Sequence, residues 1–260
     1  MASRGFFRTI RITILLLILF FVSMNTWLTQ LRSTDWDESL WVVVYPINGD
    51  NSPATQTYID TLSRDTFRSI ESFLGTESKR YGMSISDPVT VRLAAQVTDH
   101  PPLPPINGST LSVMLFSLKL RYWAYINDNF DGPKPDVQMF VVYHDPDTHN
   151  RLRHSLGIQK GMIGVVNAYA GRALAQRNNV VIAHEFLHTL GASDKYDRTN
   201  NQPIYPDGYA EPDRTPRHPQ RKAEIMAGRI PLSEQHAVMP KSFVTSSIGA
   251  KTAREIRWIN

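Results

Sequence analysis

The stretch Val180-Val181-Ile182-Ala183-His184-Glu185-Phe186-Leu187-His188-Thr189-Leu190-Gly191-Ala192-Ser193-Asp194 organises the reading of this 260-residue chain. Its first half is apolar and belongs to a longer segment, Arg172–Leu190, with helical spacing. Gly191 stands just past its end, where a left-handed residue stops a helix and turns the chain. Two histidines four apart project from one helix face, one turn from each other. Glu185 follows His184 directly, so it stands beside any ion the two imidazoles share without ligating it. Asp194 arrives three residues after the glycine and can bring a carboxylate back to the same point.

That donor set points to zinc. Imidazole nitrogen binds Zn2+ at about 2.0–2.1 Å, and three protein ligands with one open position mark a reactive site rather than a closed structural one. From its place beside His184, Glu185 can take a proton from a metal-activated water. The alternative is a helix with two solvated or core histidines. It requires a buried glutamate between buried imidazoles with no metal, which is costly. Asp197, Glu211 and His218 are rivals to Asp194 as third ligand. The chain has no cysteine, so disulfides and thiolate sites are excluded, and any metal must sit on nitrogen and oxygen.

Around this segment the chain reads as alternating strands and helices. Leu40–Pro46 and Val137–Tyr143 are continuous β-branched and aromatic runs, as buried strands are. Pro88–Val97 alternates. Thr55–Leu74 carries apolar residues at three- and four-residue intervals and predicts one amphipathic helix stopped by Gly75. Leu111–Ile126 predicts a further helix, and Met162–Tyr169 a weaker, glycine-bearing strand of the kind found at sheet edges. Gln202–Pro219 is a proline-rich polar loop, and Ser246–Trp258 predicts a final helix. The order predicts an α/β fold, with a mixed, mostly parallel twisted sheet and an antiparallel edge strand.

At the N-terminus Arg4, Arg8 and Arg11 precede an apolar run. Residues 10–31 just reach the length of a membrane span. This predicts a cytoplasmic tail and membrane anchor over 1–33, with residues 34–260 as an extracytoplasmic domain of a single-pass protein. A signal segment that is cleaved to release a secreted protein is the alternative. The formal net charge of +4 forms no basic stripe with interleaved aromatics, so nucleic acid is not an expected partner.

His184 to Asp194 resembles the extended zinc signature of the metzincin metallopeptidases, HExxHxxGxxH, with Asp in place of the third His. The aspartate variant is similar to snapalysin-like peptidases, and Leu190–Asp197 resembles the immune inhibitor A type. The resemblance implies an α+β zincin-like domain and a zinc-dependent metalloendopeptidase. In it His184, His188 and Asp194 hold the metal and Glu185 is the general base. It also implies a tight turn with a methionine beneath the metal, which Glu224-Ile225-Met226-Ala227-Gly228 fits. Finally, it implies that Met162–Tyr169 is an antiparallel edge strand along which extended peptide substrate binds.

The sequence departs from the family at the tyrosine expected two residues after that methionine, where Gly228 stands. Tyr196, Tyr205 and Tyr209 are the candidates to replace it. Two other functions fit the same residues: a non-catalytic binding protein on this fold, and a zinc hydrolase acting on a non-peptide amide. His144, His149 and His154 read as loop histidines rather than a second metal site. Asp145 and Asp147 lack the pattern of a calcium loop.

Overall fold

The structure is a computed structural model that describes residues 7–17, 20, 35–105 and 108–259. Its frame is a mixed five-stranded sheet. In chain order the elements are β1 (Leu40–Asn48), α1 (Pro53–Ile59), α2 (Arg68–Arg80), β2 (Val89–Leu93), α3 (Thr110–Ile126), β3 (Val137–His144), β4 (Leu156–Ile158), β5 (Ile163–Tyr169) and α4 (Ala175–Thr189). Short pairings follow: β6 (Ala223–Glu224), β7 (Ile230–Pro231), β8 (Ala237–Val238) and β9 (Ser246–Ser247), before α5 (Ala250–Glu255). The strand order is β2-β1-β3-β5-β4, parallel throughout except that β4 runs antiparallel to β5. The sheet is therefore the α/β, mostly parallel arrangement with one antiparallel edge.

Strands covered on both faces read as unbroken apolar runs, and β1 and β3 show why. Val42 and Val44 face one core with Met139 and Val141, while Val43, Tyr45 and Ile47 face the other with Phe140 and Val142. The first core is closed by α2 (Ile70, Phe73, Leu74) and α4 (Ile182, Phe186, Leu187). The second is closed by α3 through Leu120, Trp123 and Ala124.

Four expectations are corrected. The helix expected over 55–74 is two. Ser52 caps α1 through a bond from Thr55 N at 3.1 Å, Asp60 ends it, and a 3-10 turn at Arg64–Phe67 leads into α2. Gly75 does not stop α2. A Cβ there would lie 3.1 Å from Ser86 O, so it is a close-packing position, and the left-handed residue past the helix is Gly82 at φ +76°.

The final helix spans only Ala250–Glu255, because Ser246–Ser247 pairs in parallel with β6 instead. The strand expected at 162–169 is neither edge nor antiparallel: β5 lies between β3 and β4 and runs parallel to β3. The antiparallel edge is β4, three residues reversed into β5 through a turn with Met162 left-handed at φ +52°.

The expected membrane anchor is also corrected. No helix among the described residues is long and apolar enough to cross a membrane. The helical segment there covers 7–17 and residue 20, and the rest of the 10–31 stretch lies outside the described residues.

Candidate metal centre

Helix α4 presents His184 and His188 one turn apart, their rings 4.7 Å between centroids and nearly perpendicular. Two backbone carbonyls fix their tautomers. His184 Nδ1 lies 2.9 Å from Ile225 O, and His188 Nδ1 lies 2.7 Å from Ala192 O. A carbonyl only accepts, so Nδ1 carries a proton on both rings, and Nε2 is the atom left to bind a metal in the neutral form of each. Those two Nε2 atoms lie 3.1 Å apart. Asp194 Oδ1 stands 3.0 Å from His188 Nε2 and 3.5 Å from His184 Nε2, buried and with no hydrogen-bond partner.

Three acceptor atoms thus converge, a costly arrangement unless a proton or a metal cation sits among them. One ligand atom from each of the three residues lies within 4.8 Å of the others, as a single divalent ion requires. Two nitrogens and one carboxylate oxygen are a zinc donor set, so the residues fit the expected metal. The electrostatics show the same demand for positive charge, which a proton meets where no ion is bound. Burial depresses the pKa of His184, yet Asp194 and Glu185 more than reverse this and lift it to about 9. Burial opposes ionisation of Asp194, but the two imidazoles and Arg198 hold it far below the usual carboxylate range.

The approach of Asp194 depends on the turn after α4. Gly191 takes φ +105°, and Ala192 N bonds back to Leu187 O at 3.0 Å, which brings Ala192 O onto His188. Both flanks are then pinned. Ser193 donates to Glu255 through N (2.9 Å) and Oγ (2.7 Å), and the buried Lys195 reaches Glu255 Oε2 at 2.6 Å. Lys195 N also donates to Met226 O at 3.0 Å. Arg198 holds Asp194 Oδ2 at 3.0 Å. Lys195, Arg198 and Glu255 were not singled out in the sequence, and only the unusual burial of a lysine marks them.

Met226 is fully buried beneath α4 in the core that holds Phe186 and Leu187. Its tight turn closes through Gly228, at φ +67°, whose N bonds Glu224 O at 3.1 Å. The turn is braced from below by the buried Glu224 carboxylate, which accepts from Ala227 N (3.0 Å), Gly249 N (3.0 Å) and Thr252 Oγ1 (2.7 Å). The same turn supplies Ile225 O to His184.

Glu185 is buried beside the two histidines. Burial raises its pKa, and the neighbouring imidazoles pull it partly back. With Gly157, His188, Asp194 and Tyr196 it lines a cavity of about 490 Å³. Gly157 lets edge strand β4 press onto the helix, since a Cβ there would lie 2.4 Å from Glu185 O.

The rivals lie elsewhere. Asp197 Oδ1 accepts from Thr199 N and Oγ1, Glu211 pairs with Arg221, and His218 Nε2 meets Tyr209 Oη at 3.0 Å. Of the three candidate tyrosines, Tyr196 is the one that lines the cavity.

A second convergence involves Asp50, His144 and His149, whose ligand atoms also lie within 4.8 Å of one another. Sequence spacing missed Asp50, which lies past the end of a different strand. Its oxygens are already committed: Oδ1 accepts from Ser52 N at 3.0 Å and Oδ2 from Asp145 N at 2.6 Å. This cluster therefore pins the β3–β4 loop to the end of β1. Compared with known proteins, the chain matches no family model and no curated sequence.

Proposed function

We propose that the chain is a zinc-dependent metallopeptidase of metzincin type, with residues 34–260 as its catalytic domain. The observation that carries this reading is the convergence of His184 Nε2, His188 Nε2 and the partnerless Asp194 Oδ1 beside a buried glutamate. A zinc ion held by these three atoms supplies Lewis acidity for a substrate carbonyl and for water.

The chain's own groups do the rest. Glu185 accepts a proton from the attacking water and returns it to the leaving amine, and its burial raises its pKa and so its affinity for that proton. Tyr196 lines the cavity and is the residue we assign to donate to a developing oxyanion. β4 is the free edge beside the site, so an extended peptide adds to it by backbone hydrogen bonds.

The test is Glu185→Gln. It keeps one zinc per chain and loses peptide hydrolysis by at least ~100-fold. Full peptidase activity in this variant removes Glu185 as base. Cleavage of non-peptide amides alone, by the native protein, redirects the reading to another hydrolase. Zinc binding with no hydrolysis of any amide leaves a binding protein on this fold.

A further inference from the structure

We infer that the cleft selects acidic substrates: beyond the metal centre it forms a carboxylate-binding subsite lined by four arginines. This rests on the peptidase reading and narrows it to a substrate class. A second cavity of about 430 Å³ adjoins His184 and Glu185 and receives Arg151, Arg153, Arg177 and Arg229. The four come from two directions. Arg151 and Arg153 hang from the β3–β4 loop, and Arg177 stands on the first turn of α4 with Arg229 just past the methionine turn.

Their charge is not spent within the chain. Among the described residues, no carboxylate forms an ion pair with any of them. Arg177 touches Met239 Sδ at 3.0 Å, and Arg229 Nη1 meets Ala237 O at 3.4 Å; neither contact neutralises a guanidinium. The one acid lining this cavity is Glu185, enclosed by the two imidazoles.

Positive groups crowding a concave surface focus field lines and concentrate anions. Guanidinium also matches a carboxylate with two parallel hydrogen bonds. Arg177 and Arg229 are half-buried, so they form the fixed part of the subsite, while the exposed Arg151 and Arg153 close on the ligand from the loop. That loop does not hang free, because Asp50 Oδ2 anchors its start at Asp145 N.

The experiment uses peptide pairs on one scaffold, with Glu or Gln at each position flanking the scissile bond. The native protein is expected to prefer Glu at one position by ~10- to 100-fold in kcat/KM. The preference should shrink as salt rises. Arg151→Glu with Arg153→Glu, both at exposed positions that do not threaten folding, should bring the Glu/Gln ratio toward one. Binding of the same pairs to Glu185→Gln, by fluorescence anisotropy, reports on the subsite without turnover. Cleavage or binding that ignores the Glu/Gln exchange at every position overturns the acidic subsite and leaves the peptidase reading standing. Selective binding of the Glu peptides with no cleavage by the native protein supports the subsite and overturns the peptidase reading.

Discussion

Gly157→Ala tests whether the edge strand and the helix that carries His184 and His188 form one rigid unit. The added methyl would lie 2.4 Å from Glu185 O and 2.7 Å from His188 Cβ. Ordinary contact between such atoms is about 3.5–4.0 Å, so strand and helix must part by about 1 Å. Neither neighbour is the free end of a flexible side chain: one is a helix carbonyl and the other the root of a ligand. Overpacking of this kind costs about 1–3 kcal/mol. At about 2–4 °C per kcal/mol for a domain of this size, Tm falls by about 2–12 °C.

The two ways of yielding are separable. Zinc ligands tolerate displacements of about 0.2 Å, so movement of α4 weakens metal binding. Movement of β4 would spare a bound metal but would spoil the edge proposed for substrate. We expect β4 to move, because it is a three-residue edge strand while α4 is packed into the main core. Differential scanning fluorimetry, zinc titration and peptide hydrolysis on the same preparation should show lower Tm, retained zinc and reduced kcat/KM. Unchanged Tm together with unchanged hydrolysis would refute the close packing argued for β4.

His184→Ala should abolish stoichiometric zinc binding, and a chelator should lower the Tm of the native protein but not of this variant. A ligand at a hundred times its Kd adds about 2.7 kcal/mol, which sets the scale of that shift. Glu224→Ala strands three donors in the core, so we expect a loss of about 3–5 kcal/mol in urea unfolding. Glu224→Gln, which keeps an acceptor, should lose less.

Acid should loosen the β3–β4 loop in two steps. Burial depresses the pKa of His144 below 6.5, so its contribution is present above 6.5 and declines as pH falls below that value. Burial opposes ionisation of Asp50, but the N–H groups of Asp145 and Ser52 overcome it and hold its pKa at about 2, from 3.8. Its contribution is therefore present above 3.8 and lost toward about 2. Hydrogen exchange at 145–155 should follow both steps, and Asp50→Asn should erase the lower one.

The residues that converge at the site were legible because their arrangement is local. His184, Glu185, His188, Gly191 and Asp194 fall within eleven positions, and helical geometry with one left-handed glycine dictates how they meet. β1 and β3 were legible as strands because burial on both faces leaves unbroken apolar runs, and β5 as a weaker run interrupted by Gly164 and Asn167. The pairing of β5 was not, since an apolar run does not say which neighbour it meets. β4 is too short to show a period. The break between α1 and α2 was hidden because the apolar spacing continues across it. The braces are also invisible in the sequence: Lys195 meets Glu255 sixty residues on, and Glu224 meets Thr252 twenty-eight residues on. Such pairs leave no periodic trace in the chain.

A second set of contacts, two of them local, explains why a carboxylate can stand third beside two imidazoles. Each of the three residues has two atoms able to bind, and in each the fold occupies one. Ile225 O takes His184 Nδ1, Ala192 O takes His188 Nδ1, and Arg198 takes Asp194 Oδ2. One donor per residue is left, and all three face a single point. Three protein donors would leave a bound zinc room for water, and the cavity they line also holds Glu185. If Arg198→Ala frees Asp194 Oδ2, both carboxylate oxygens would be available to a bound zinc and would crowd the cavity beside Glu185. Zinc would then stay bound while hydrolysis falls. Weaker zinc binding with an unchanged turnover number for the zinc-loaded fraction would show that Arg198 serves only to hold Asp194 in place.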